Sequence, residues 1–168
     1  MELSRTLLDK ITKLLIDRNE NICVAESVTS GLLQTAISQM HGAENFFHGG
    51  ITAYTLKQQV KLLSLDLEQA KKDNCVSRSI SEKMAVNVSK IFNCDWSLST
   101  TGYATPVEES DYQIFAYYCI AYYGVILRSD RIDLHPLTKA ADAQKYFAEY
   151  TLGCLESELQ RPKRIMSV

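Results

Sequence analysis

The chain has 168 residues, 46% of them hydrophobic and 23% charged, with a net charge of −2 at pH 7. That length suits one domain with a substantial core, and the near-balanced charge removes the electrostatic reason to expect nucleic acid or an anionic membrane as a partner. No apolar run approaches the roughly 20 residues that span a bilayer, and residues 1–5 lack the basic and apolar regions of a signal peptide. The five cysteines (Cys23, Cys75, Cys94, Cys119, Cys154) are scattered, with no CxxC and no Cys/His spacing that suits a metal. Buried, reduced thiols in a cytoplasmic protein are expected, with no metal and no cofactor.

In chain order, Leu3, Leu7, Leu8, Ile11, Leu14 and Leu15 recur every three or four residues and predict an amphipathic helix ending near Arg18. Residues 22–25, Ile-Cys-Val-Ala, read as a short buried strand. Glu26-Ser27-Val28-Thr29-Ser30-Gly31 is a small, polar turn, and Leu32, Leu33, Ala36, Ile37 and Met40 then mark one face of a helix. Strand, tight loop and helix make the place where open α/β sheets bind ligands. Backbone amides at residues 29–31, unpaired at the positive end of a helix dipole, would seat a phosphate or carboxylate. The competing reading is plain capping, with Ser27, Thr29 or Ser30 closing the helix start.

Residues 46–54 predict a second strand entered through Gly49-Gly50, a pair that suggests a bulge or a close backbone approach. A basic helix follows over residues 56–63, with Lys57, Gln58, Gln59 and Lys61 expected on its exposed side. Residues 66–73 suit a helical turn. Ser77 or Ser79 caps a helix carrying Ile80, Met84, Ala85, Val88 and Ile91 on one face. Residues 94–101 alternate as a third strand and residues 102–106 form a turn. Residues 113–123 make the strongest strand, paired as an antiparallel hairpin with residues 125–134. Tyr117, Tyr118, Tyr122 and Tyr123 fall in pairs on opposite faces of it, and the three histidines suit the surface. Residues 136–138 start a final helix, and residues 161–164 are a basic tail. No repeat or linker divides the chain, so residues 1–168 are expected to be one domain. The order of elements predicts a three-layer α/β/α sandwich around a mixed sheet.

The motifs also carry a likeness. Ala25-Glu26-Ser27-Val28-Thr29-Ser30-Gly31, Gly42-Ala43-Glu44-Asn45-Phe46-Phe47 and Gly49-Gly50-Ile51-Thr52-Ala53-Tyr54 come first. Leu63-Ser64-Leu65, Asn74-Cys75-Val76-Ser77 ahead of Met84-Ala85, and Thr101-Gly102-Tyr103-Ala104-Thr105-Pro106 follow. In that order, over about residues 5 to 155, they resemble the C-terminal domain of the competence-damage-inducible protein CinA. That family includes nicotinamide mononucleotide amidases. Its pattern reads A-E-S-C-T-G-G, G-A-S, G-x-x-x-Y-S-N-x-x-K and T-G-I-A-G-P. Here Val28 stands for the cysteine, Ser30 for a glycine, Glu44 for the serine of G-A-S, Gln59 for the lysine and Thr105 for a glycine.

The resemblance implies Ser27 and Tyr54 as catalytic residues, with Glu26, Thr29, Ser30, Gly31, Gly102 and Thr105 lining a pocket shared by the first loop, Tyr54 and the turn at 102–106. It implies a small phosphorylated, nicotinamide mononucleotide-like ligand and a homo-oligomer, with no nucleic acid and no membrane as partner. Amide hydrolysis needs a nucleophile, a base and oxyanion donors, and the lysine that would serve as base is missing. Lys57 and Lys61 lie two positions from Gln59, about 200° around a helix, and make poor substitutes. Glu26 or Glu44 could act as base by a different mechanism. Three readings follow: a weakened amidase, an inactive relative that still binds a nucleotide or other phosphorylated ligand, and an oligomeric scaffold whose pocket has closed.

Overall fold

The computed structural model describes residues 3–162, so Lys163 and Arg164 of the basic tail lie outside the described residues. The apolar run after the first helix becomes β1 (Ile22–Glu26), buried along its whole length. A strand buried on both faces needs a neighbour on each side and helices above and below. Parallel partners β2 (Phe47–Thr52) and β3 (Trp96–Tyr103) flank it. Antiparallel pairing then joins β3 to β4 (Ile114–Tyr122) and β4 to β5 (Val125–Leu134), giving the order β2-β1-β3-β4-β5.

Helices cover both faces. On one side α1 (Arg5–Arg18), α2 (Leu32–Ser38) and α6 (Ala140–Leu159) bring Ile11, Leu15, Leu33, Ile37, Phe147 and Leu152 onto Val24, Trp96, Leu98 and Tyr118. On the other, α3 (Leu56–Leu63), α4 (Leu67–Lys72) and α5 (Arg78–Phe92) bury Leu63, Ala70, Ile80, Met84 and Val88 against Cys23 and Ala25. This is the expected three-layer α/β/α sandwich around a mixed sheet. All five cysteines are free and buried, as composition suggested. Among the described residues no helix is long and apolar enough to cross a membrane, and all three histidines are exposed.

Boundaries moved where tertiary contacts outweighed local pattern. The second strand stops at Thr52 and leaves Tyr54 outside it. The third runs on to Tyr103 because β4 continues to pair with it as far as Phe115. A Cβ on Gly102 would meet the Phe115 carbonyl at 2.2 Å and the Ala116 Cα at 2.6 Å, so β4's backbone requires a glycine there. The final helix begins at Ala140 rather than at Pro136, after a turn closed by Thr138 N–H donating to the His135 carbonyl. Within the hairpin, Tyr118 and Tyr122 are buried toward α6, Tyr117 is half-buried on the opposite face, and Tyr123 is exposed in the turn with φ 48°.

Two further features frame the sheet. At the strands' N-terminal edge the buried Glu20 carboxylate accepts from Trp96 Nε1 at 2.7 Å and from the Tyr122 hydroxyl at 2.8 Å. Along the β5 edge the Arg78 guanidinium donates to the Ser129 carbonyl and, at 2.8 Å, to Asp130. The same Asp130 carboxylate accepts from Arg131 N–H. Side chains thus engage backbone groups that an open edge strand would offer to another chain.

Candidate functional site

Strand register assembles the site. Ser27 N–H donates to the Thr100 carbonyl and Ala53 N–H to the Glu26 carbonyl, each at 2.9 Å. Parallel β1 and β2 therefore end together, β3 runs three residues further to Tyr103, and the loop at 26–31, Tyr54 and the turn beyond β3 all sit toward the C-terminal edge of the sheet. That is where an α/β sheet offers a crevice.

Glu26 closes the start of α2. Its buried carboxylate accepts from Thr29 Oγ1 at 2.6 Å and from the backbone N–H groups of Gly31, Leu33 and Gln34 at 3.1, 3.0 and 2.9 Å. Because Thr29 Oγ1 donates to Glu26, the Thr100 hydroxyl 2.7 Å away must be the donor to Thr29. Two further early donors are taken as well, Ser30 N–H by the Ser27 carbonyl and Leu32 N–H by the Thr29 carbonyl. The expectation of open amides for an external anion is corrected at Ser30 and Gly31 and at the first turn of α2, where the protein's own carboxylate fills that seat. The simple capping reading is corrected too, since neither Ser27, Thr29 nor Ser30 caps the helix. Gly31 is the N-cap residue, at φ 97°, without a side-chain cap. Ser30, where the family pattern has glycine, holds φ 51° on the exposed tip of the loop.

Ser27 follows Glu26 and points to the opposite face, toward α3. There Gln59 Nε2 donates to Ser27 Oγ at 3.1 Å. Ser27 is 7% exposed and Gln59 2%, and among the described residues Gln59 Oε1 has no hydrogen-bond partner. Gln59 was expected on the solvent side of α3; instead it shares the inner face with Leu63, while Lys57 and Lys61 are exposed. The signal was present in its spacing, since residue 59 lies three after Leu56 and four before Leu63. Tyr54, expected as the last residue of the strand over residues 46–54, is 71% exposed between β2 and α3. Among the described residues its hydroxyl has no hydrogen-bond partner, so the structure does not tie it to Ser27.

Glu44 does not share this site within one chain. It is exposed on a short 3-10 turn (Ala43–Asn45) that precedes β2, and Ile22 N–H donates to the Phe46 carbonyl just after it. That places it at the strands' N-terminal edge, roughly 16 Å of β1 away from Ser27 at 3.3 Å per residue. A polar cleft of about 210 Å³ lined by Asn19, Glu20, Asn21 and Asn45 lies at that same far edge.

Gly102 is committed to its contact with β4, and Thr105 is exposed in the turn beyond β3. Next to them Thr101 Oγ1 donates to the Cys75 carbonyl at 2.6 Å, and Asn74 Nδ2 donates to the Tyr103 hydroxyl at 2.8 Å. Burial pushes the Tyr103 phenol up from its ordinary value, with the Asn74 bond pulling the other way. Gln144 Nε2 donates to the Val28 carbonyl at 3.0 Å, which fastens the loop to α6. Sequence reading missed Asn74 and Gln144, because each is brought to the loop only by packing of a distant element.

The profile of the CinA C-terminal domain family matches residues 4–156 of this chain. This chain belongs to that family. A CinA-like protein from Prochlorococcus marinus is 40% identical over 101 residues, which are 60% of this chain and 24% of that protein. A CinA-like protein from Picosynechococcus is 32% identical over 144 residues, 86% of this chain and 34% of the relative. The chain therefore spans about a quarter to a third of the length of the curated relatives it matches. Among solved structures, the competence or damage-inducible protein of Enterobacter asburiae superposes with a TM-score of 0.85 at 20% identity, covering 92% of this chain and 96% of that one. A CinA superfamily protein from Klebsiella pneumoniae gives 0.84 at 18% identity, with the same coverage of both chains. At those identities the likeness is one of fold.

Proposed function

We propose that this CinA C-terminal domain binds a small phosphorylated ligand resembling nicotinamide mononucleotide at the C-terminal edge of its sheet, and hydrolyses the ligand's amide weakly or not at all. The observation that carries this reading is the Gln59 amide lying 3.1 Å from Ser27 Oγ. Hydrolysis of a nicotinamide amide consumes water and releases ammonia and the carboxylate. For Ser27 to begin it, a base must take the hydroxyl proton. An amide side chain cannot do so at neutral pH, and losing one member of such a unit costs on the order of 10³-fold or more. Glu26 does not fill the gap: its carboxylate is consumed by four donors on the other face of β1. Glu44 is at the far edge. With the α2 amides committed to Glu26, phosphate contacts fall to exposed groups around the loop and turn, Ser30 and Thr105 among them.

The test is an ammonia-release assay with nicotinamide mononucleotide, run beside a thermal-shift titration. The expected result is a ligand-dependent rise in melting temperature with turnover at or near background, increased when Gln59→Lys restores an amine. Robust ammonia release by the unmodified protein, abolished by Ser27→Ala, overturns the inactive reading and makes the chain a plain amidase.

A further inference from the structure

We infer that the Ser27–Gln59 pair selects a neutral amide over the corresponding carboxylate; this rests on the ligand-binding reading above. Gln59 Nε2 donates to Ser27 Oγ, which leaves Gln59 Oε1 as a buried acceptor without a donor among the described residues. It also leaves the Ser27 hydroxyl proton with no acceptor among the described residues. Turning the amide over does not balance the site. Ser27 would then donate to Oε1, and the open groups would be the Nε2 protons and a lone pair on Ser27. In both orientations at least one donor and at least one acceptor stand side by side, unpaired. Their complement is a group that offers one acceptor and one donor next to each other, as a primary carboxamide does.

A carboxylate at neutral pH offers acceptors only. It can meet the open donor but sets a negative oxygen against the open acceptor, in a place with little water to screen it. The two lysines that flank Gln59 in sequence, Lys57 and Lys61, are exposed and off the buried face of α3, so neither is placed to offset that charge. A lysine at position 59 would present donors and a positive charge and so favour the acid. Residue 59 therefore sets the preference between the amide and the acid that amide hydrolysis would produce.

The test is isothermal titration calorimetry on the intact chain with nicotinamide mononucleotide and with nicotinate mononucleotide, for the parent, Gln59→Lys and Gln59→Met. The parent is expected to bind the amide at least about tenfold more tightly than the acid. Gln59→Lys reverses that order. Gln59→Met removes both polar atoms at similar volume, keeps the parent's melting temperature or raises it, and loses the discrimination. Equal affinities in the parent, or an unchanged amide preference in Gln59→Met, overturn the inference and leave the ligand-binding reading standing. Absence of binding by the parent overturns that reading and the inference with it. Should Gln59→Met not fold, the Gln59→Lys arm decides: an unreversed order overturns the inference.

Discussion

Glu26 is a carboxylate in a place that water does not reach, surrounded by four donors. Replacing it by glutamine keeps the volume but turns one acceptor into a donor that faces backbone N–H groups. Glu26→Gln is expected to cost roughly 2–4 kcal/mol of stability, read as a lower urea midpoint at unchanged slope. At this scale the sequence was half legible. The small residues of the loop announced a turn beside a helix start, and that is where it lies. They could not announce which side chain would hold that start, because Glu26 reads equally well as the last residue of a strand. Gln59 shows the same limit. It was expected on the exposed side although its spacing from Leu56 and Leu63 fits the inner face of α3, and only packing of that helix on the sheet sets it against Ser27, 32 residues away.

Among elements, the hairpin was read most closely, with β5 found at the expected residues and β4 a residue shorter at each end. Its alternation and its Gly124 turn are local signals that need no partner to interpret. Tyr54 was misplaced because a strand's end depends on its neighbour, and β1 gives β2 no further partner after Glu26 pairs with Thr52. The junction of α4 and α5 carries a pH response. The Asp73 carboxylate accepts from Ser77 Oγ and Gln69 Nε2, each at 2.6 Å, and the Ser77 bond is the largest influence holding it below the usual aspartate value. A carboxyl depressed in the fold contributes stability above its unfolded value, and that contribution is lost as pH falls through its folded value. The stability difference between the parent and Asp73→Asn should therefore be steady from pH 6 to 7 and shrink below about pH 4. Denaturation midpoints measured across that range check it. Ser77 also accepts from Ile80 N–H at the start of α5, so Asp73 is the cleaner substitution.

For the whole molecule, chain order was enough to place three layers around a mixed sheet, and the order of motifs was enough to place the chain in its family. Neither could show that Glu44 and Ser27 lie at opposite edges, since that follows from the direction of α2 between two parallel strands. We propose that the chain associates with itself through the tip of the hairpin, where Tyr123, Val125 and Ile126 are exposed, rather than through the edge of β5. Light scattering at micromolar concentration is expected to give a mass above that of one chain. A monomer mass overturns the proposal.

The clasp on β5 has a bearing on how the protein behaves in different solvents. Arg78 and Asp130 are both more than half exposed, with side-chain accessibilities of 53% and 63%. Their attraction is thus open to mobile ions, and the screening length shrinks from about 10 Å at 0.1 M salt to about 3 Å at 1 M. A concentrated kosmotropic salt such as sulfate loosens the clasp while it strengthens apolar association. The sheet's last strand is then more open to a passing chain under conditions that favour sticking, so storage and crystallisation in concentrated sulfate or phosphate bear on this molecule at its fifth strand.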